Sequence, residues 1–525
     1  MKGLRPWEWL CLACILATAV FLRTRDLTAF RLSPDDGQYL YSARLHELPR
    51  STDLAQWIAE DRTWFGELVE DWGRAPNFAK TYQHSYLHQF LFRDTYRLGL
   101  SPITALRGNS AVLGALVCVL LAWFYARAFS PRRHVGLIAA ALVAVSLLFT
   151  FYSRTGWGQM GCTCFAFATF ALGWELLERT PESATRRLAG LGLLLALSML
   201  GALGFQEMIS VYVIAFAVIA FAWIALRTPV DPPAWAGAGP VRRVLGSRRI
   251  WAFVLAATPI GLYTLLLYRY SEFANSRWFS DPNFGKFSWT EARKITLDVW
   301  WNVQELPLQI SIPVLALALV GARVLWREQR RYFAYLAAWT VLPAAVFFVV
   351  FDNPSLVRIY LPSLLLVFVF AAEGCAAAGR WIAVRATSVA SVAAFAALVA
   401  FLGITTWNTL FGREGDALFV AGIYAGKPDS NHVYEPVYEY LEDHRIEDLL
   451  GAWDARDPLF VAVERGYPAR MFSFDEPQTT WPAYLIGVTR SMNLQGRCVE
   501  AGGRYKLLVR DRSDRVGLYA LQPAQ

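Results

Sequence analysis

Asp35 and Asp36 are adjacent carboxylates, preceded by Ser33-Pro34 and followed by Gly37-Gln38-Tyr39. A carboxylate held where a lipid headgroup meets a water-borne hydroxyl can take the hydroxyl proton as a general base. The same residues also spell a helix start, with Ser at the N-cap, Pro at the first helical position and acids in the first turn. Local sequence leaves both readings open. His84 and His88 lie four apart, the spacing that presents two imidazoles on one helix face, and Asp36 is the best additional ligand for a divalent cation. Glu207 beside Gln206 lies at the mouth of an apolar run, where it either lines a pocket or caps a helix. Cys162 and Cys164 look like a metal fragment but lack partner ligands nearby and read as small packing residues.

The elements that must position these groups are apolar. Stretches near 7 to 22, 105 to 128, 134 to 152, 157 to 178, 188 to 204, 207 to 226, 250 to 268, 304 to 325, 332 to 350, 357 to 378 and 387 to 411 each approach the roughly 20 residues that cross a bilayer. Every second connection is basic: Lys2 and Arg5; Arg127, Arg132 and Arg133; Arg179, Arg186 and Arg187; Arg227 to Arg249; Arg323 to Arg331; Arg380 and Arg385. The connections between them carry Arg154 alone, no cation around Gln206, and Arg358 alone. By the positive-inside rule the N-terminus is expected in the cytoplasm and the C-terminus outside. The acidic pair then falls in the first outer loop.

With 55% hydrophobic residues and a mean hydropathy of +0.32, the chain has room for long polar loops but not the composition of a soluble enzyme. Its net charge of +8 sits in short loops and reads as topology, without the contiguous basic face that nucleic acid needs. Six of the seven cysteines lie in apolar runs and only Cys498 in the outer tail, so no disulfide framework is expected outside. The first run follows Lys2 and Arg5 like a signal peptide, yet it continues through Val20-Phe21-Leu22 and reads as a retained anchor. No acceptor for N-linked sugar occurs, which favours a bacterial inner membrane.

The expected fold is an all-α polytopic membrane protein of about eleven transmembrane helices over 1 to 411, with a small α/β extracytoplasmic domain over 412 to 525. The first outer loop, 23 to 104, has juxtamembrane helices: Leu54, Trp57, Ile58, Phe65, Leu68 and Val69 make one amphipathic face, and 84 to 98 is too polar to span. A second large outer loop, 269 to 303, carries a capping box at Ser288 to Glu291, and Pro229 to Pro240 reads as a cytoplasmic linker. Strand-like runs at Leu459 to Val463 and Lys506 to Val509 mark the tail.

Asp35-Asp36-Gly37-Gln38-Tyr39 through Arg44, Lys80 to Tyr86, Arg107-Gly108-Asn109, Tyr152-Ser153-Arg154 and Arg358-Ile359-Tyr360-Leu361-Pro362 follow one another in an order that resembles the C-type glycosyltransferases (GT-C). The likeness is to the branch of protein O-mannosyltransferases and the lipid A aminoarabinose transferase. It departs from that pattern in having Asp36 for the usual Glu, Ser85-Tyr86 for prolines, and an extra residue between Arg358 and Tyr360. The resemblance implies sugar transfer from a polyprenyl-phosphate-linked donor to a lipid, protein or polysaccharide acceptor, with no nucleic acid and with membrane lipids as surroundings. It further implies Asp35 and Asp36 as the catalytic carboxylates, with Asp35 as the base, and Lys80, Arg154, Arg358 and Tyr360 as ligands of the donor phosphate. Tyr39, His84, Arg107 and Glu207 would line the pocket, and some members bind a divalent cation near the acidic pair, here Asp36, His84 and His88. A polytopic lipid or solute transporter is the chief alternative. Against it, charges are nearly absent from the apolar interiors, with Glu373 the main exception.

Overall fold

The computed structural model of this chain describes residues 5–25, 27, 86–100, 102–156, 158–205, 210–226, 244–270, 310–350, 360–411, 435–446, 448, 450–453, 467, 469–471, 483–488, 505–510 and 516–521. Asp35, Asp36, Tyr39, Lys80, His84, Glu207 and Arg358 lie outside them, as do the expected helices over 54–69 and 288–294, the 229–240 linker and the strand at 459–463.

The helices are α1 (Pro6–Thr24), α2 (Tyr86–Tyr96), α3 (Pro102–Ala128), α4 (Arg133–Ala144), α5 (Leu147–Arg154), α6 (Gln159–Trp174), α7 (Thr185–Phe205), α8 (Ser210–Leu226), α9 (Arg248–Tyr270), α10 (Ile312–Glu328), α11 (Arg330–Val350), α12 (Leu361–Arg385), α13 (Ser388–Phe411) and α14 (Glu435–Asp443). Each apolar stretch of the sequence overlaps one of them, except 134 to 152, which overlaps both α4 and α5. Among the described residues six single helices are long and apolar enough to cross a membrane, and α4 with α5 makes a seventh as a bent pair. At 17 residues each, α8 and α10 are shorter than that requirement. The stretch 134 to 152, expected as one straight span, is instead broken at Val145-Ser146 and bent by 61°. The described part of α2 has 11 residues.

Two compact units are present among the described residues. The first holds α1, the start of α2, and α3 from Arg107 through α13; the second holds the rest of α2, the start of α3 and the C-terminal sheet. In the first unit α10 and α12 pack face to face because Gly321 and Gly374 meet there. A methyl group on Gly321 would overlap the carbonyl oxygen of Phe370, and one on Gly374 that of Leu317. Small residues that admit close backbone approach are what apolar helices need when lipid offers no hydrophobic drive to associate.

At the other recurring contact, buried carboxylates meet the arginines of the basic connections. Glu8 pairs with Arg133 at 2.7 Å, Glu182 with Arg249 at 3.6 Å, and Glu175 with Arg127 at 3.2 Å and also with Arg187. Glu373, the acid that stood out in the sequence, accepts a hydrogen bond from the Tyr125 hydroxyl at 3.1 Å and forms an ion pair with Arg132 at 3.4 Å. A carboxylate taken out of water survives as an ion when a guanidinium answers it. The residues that set the charge pattern therefore also tie the ends of neighbouring helices.

In the second unit five strands, β1 (Leu450–Trp453), β2 (Ala469–Met471), β3 (Tyr484–Val488), β4 (Tyr505–Arg510) and β5 (Val516–Leu521), form a sheet of order β2-β1-β3-β5-β4. β1 is parallel to β2 and β3, while β5 is antiparallel to β3 and β4. The run Lys506 to Val509 lies in β4, as its composition suggested. α14 lies against β4, and Leu450, Leu485, Ile486, Leu518 and Tyr438 are buried.

Candidate functional site

The apolar run of α1 ends at Leu22, but the helix continues to Thr24, which draws Arg23 into the protein interior with none of its surface exposed. Its guanidinium spreads over two helices. Nε donates to Ser153 Oγ at 3.1 Å, Nη1 to Ala144 O at 2.9 Å and Ala19 O at 3.1 Å, and Nη2 to Val143 O at 3.0 Å. Val143 and Ala144 form the last turn of α4 and present their carbonyls at the break, where Val143 O also accepts the Ser146 N–H at 3.3 Å. In an apolar layer such carbonyls need a donor, and a planar five-donor guanidinium can serve several at once. The Thr406 hydroxyl of α13 takes a third carbonyl, Val145 O, at 2.7 Å. Gly114 of α3 makes room, since a methyl group there would collide with Ser153 Oγ and crowd Arg23 Nε.

Arg154, at the end of α5, answers in the other direction. It is 1% exposed, and its Nη1 donates to Leu22 O at 3.1 Å and to Arg25 O. These are carbonyls at the C-terminal end of α1, where a cation also suits the helix dipole. Its guanidinium carbon lies 4.7 Å from the Phe411 ring centroid, and that of Arg25 lies 4.3 Å from Trp407. α1 and the α4–α5 pair thus exchange arginines. From this end of α1 the chain runs on, ten residues past Arg25, to Asp35.

The turn that follows Arg154 is held from its far side. His88 of α2 is fully buried, with Nε2 2.7 Å from Gly156 O and its ring 5.8 Å from that of Phe205. Facing a carbonyl, Nε2 must carry the proton. Burial lowers the imidazole pKa from its ordinary 6.5 to about 4, so the ring is neutral near pH 7. His88 Nε2 is therefore not a lone-pair donor to a metal. Among the described residues no group of three His, Cys, Asp or Glu side chains could hold a metal ion. Cys162 and Cys164 are buried free thiols, as packing residues would be.

Arg107 of α3 is fully buried and Tyr360, at the start of α12, is 8% exposed. Ser363, one turn into α12, exchanges a hydrogen bond with Tyr212 of α8 at 3.0 Å and fixes the start of that helix. Of the candidate residues, the structure brings Arg154 and His88 to the two sides of one turn. Arg23 was not legible as a member of this group, because a charge after an apolar run reads as the membrane boundary. The one hint is that the run 7 to 22 is shorter than the roughly 20 residues of a span.

No family model matches the chain, and no curated protein matches it. Solved structures do match. ArnT from Cupriavidus metallidurans in the apo state is 15% identical with a TM-score of 0.54, and its complex with undecaprenyl phosphate is 14% identical with a TM-score of 0.53. Both alignments cover 99% of this chain and 99% of that one. The arabinofuranosyltransferase AftD from Mycobacteria is 13% identical with a TM-score of 0.47, over 99% of this chain and 40% of that one. The fold that the motifs implied is the fold observed: this is a multi-pass membrane protein with a helical GT-C core and a small sheet.

Proposed function

We propose that this chain is a membrane glycosyltransferase that moves a sugar from a polyprenyl-phosphate-linked donor to an acceptor hydroxyl or phosphate. The reaction is assigned to the outer face of the bacterial inner membrane, with the N-terminus cytoplasmic and the C-terminal domain extracytoplasmic. The observation that carries this reading is the end-to-end likeness to ArnT, a protein crystallised with undecaprenyl phosphate.

In this reading Asp35 takes the acceptor proton as the acceptor oxygen attacks the anomeric carbon, and polyprenyl phosphate departs with the bonding pair. Negative charge grows on the leaving phosphate. Lys80, Arg154 and Arg358, with the Tyr360 hydroxyl, are the groups assigned to meet it. Fixed cations at that place stabilise the transition state more than the ground state. One base and one displacement give inversion at the anomeric carbon. Asp36 shares or orients the acid site, and Tyr39, His84, Arg107 and Glu207 border the sugar. A divalent cation would find Asp36 and His84 as ligands and would supply charge next to the acceptor. A transporter reading is less well supported, because the buried acids Glu8, Glu175, Glu182 and Glu373 are each held by arginine.

The test is transfer of labelled sugar from a panel of polyprenyl-phosphate donors into membrane extracts, comparing the purified protein with Asp35→Asn and Asp36→Asn. Loss of transfer with Asp35→Asn at unchanged folding supports the assignment. Equal transfer by wild type and Asp35→Asn refutes Asp35 as the base, and no transfer from any polyprenyl-phosphate sugar refutes the donor class.

A further inference from the structure

An arginine wholly buried beside two apolar helices is costly to keep, so its partners show what it is kept for. The four hydrogen bonds of the Arg23 guanidinium go to α1 and to the broken pair α4–α5, and the one side chain among them is Ser153, the neighbour of Arg154. Ser153 Oγ in turn donates to Phe149 O at 2.6 Å, which keeps its lone pair turned to Arg23 Nε.

We infer that Arg23 is a positioning residue for donor-phosphate binding: by holding the α4–α5 break and Ser153, it sets where Arg154 stands at the end of α5. The inference rests on the reading of Arg154 as a phosphate ligand. All eight residues of the short helix that follows the 61° bend are buried, so its direction is set by what packs and bonds against it. Two anchors hold the break, while Arg154's own bonds to Leu22 O and Arg25 O tie the far end of α5 to α1. Thr406 secures Val145 O on the α13 side. Arg23 secures Val143 O, Ala144 O and Ser153 on the α1 side, and only this second anchor reaches the residue next to Arg154. Loss of Thr406 therefore loosens the break, whereas loss of Arg23 also removes the bond to Ser153, beside the residue that carries the cation.

The experiment compares the full-length protein in detergent with Arg23→Gln, Arg23→Lys, Ser153→Ala, Thr406→Val and Arg154→Gln. Two quantities are read: amide exchange over Leu147 to Arg154, and affinity for undecaprenyl phosphate, followed where transfer is seen by the donor KM and kcat. Arg23→Gln and Thr406→Val are both expected to speed exchange. Only Arg23→Gln should weaken undecaprenyl phosphate binding, by about tenfold, the scale of one lost charge-assisted bond at the phosphate. Arg23→Lys should recover part of that loss, and Ser153→Ala, which keeps the carbonyl bonds, should show a smaller loss in the same direction. With transfer active, the effect should fall on donor KM rather than kcat.

Binding by Arg23→Gln equal to wild type overturns the inference, and so does an equal loss with Thr406→Val, which would mean a general structural role. Should Arg23→Gln not fold, Ser153→Ala and Arg23→Lys decide by the same comparison. Absence of undecaprenyl phosphate binding by the wild type itself would overturn the donor reading, a result distinct from binding that Arg23 does not influence.

Discussion

Changing His88 to Gln should abolish an acid sensitivity that the wild type owes to one imidazole. In the folded protein His88 is buried with Nε2 on the Gly156 carbonyl, and its pKa is about 4 against an ordinary 6.5. When α2 opens, the ring meets water and takes a proton that the closed state refuses. The folded pKa is depressed, so closure is at full strength above about pH 6.5, weakens as the pH falls, and reaches its floor near pH 4. The linkage relation gives a loss of about 1 kcal/mol near pH 6 and about 2 kcal/mol near pH 5, with a floor of about 3 kcal/mol. These correspond to roughly fourfold and thirtyfold more opening. Amide exchange over α2 and the Thr155-Gly156 turn, corrected for the intrinsic pH dependence of exchange, measures it. Gln keeps an N–H for the carbonyl but has no proton to gain, so its opening should be flat across this window. The same pH slope in His88→Gln, or none in the wild type, would refute the argument from burial.

Asp35→Asn should lower transfer by about a hundredfold or more, the usual worth of a general base, with Asp36→Asn milder, and both should leave thermal stability within error. Gly321→Ala at the α10–α12 crossing should destabilise by about 1 to 3 kcal/mol or force the helices apart, read as a fall in melting temperature in detergent; an unchanged value would mean that the backbones are not in contact. Arg132→Met should cost about 3 to 5 kcal/mol because it leaves Glu373 buried without its cation, and Glu373→Gln added to it should restore much of the loss. Additive losses in that double-mutant cycle would show that the pair does not interact.

The spans were legible because lipid demands long apolar runs, and the motif order was enough to indicate the GT-C core. The bend at Val145-Ser146 was not. Nothing in 134 to 152 is a proline, and Ser146, the N-cap of α5, is one small polar residue in an apolar run; the donors that meet the carbonyls at the break come from Arg23 and Thr406, far away in sequence. Glu373 was noticed as an anomaly, but its partners Arg132 and Tyr125 lie more than two hundred residues earlier, so the pairing had no local trace. His88 had the spacing of a metal ligand, and only burial against Gly156 O shows what its Nε2 is occupied with. Four of the proposed site residues, Arg107, His88, Arg154 and Tyr360, share the property that sequence could not supply: each is buried.

The exchange of arginines between α1 and α4–α5 also imposes an order in time. Arg23 finds its partners 120, 121 and 130 residues later in the chain. At a synthesis rate of roughly 5 to 20 residues per second, that is a wait of about 6 to 25 s after α1 leaves the ribosome. During the wait the guanidinium must stay hydrated by snorkelling to the headgroups, with α1 displaced toward that surface. Insertion of α5 lets the charge withdraw, and in the same event Arg154 arrives to cap α1. The C-terminal end of α1 is therefore capped only once the third apolar stretch is in place.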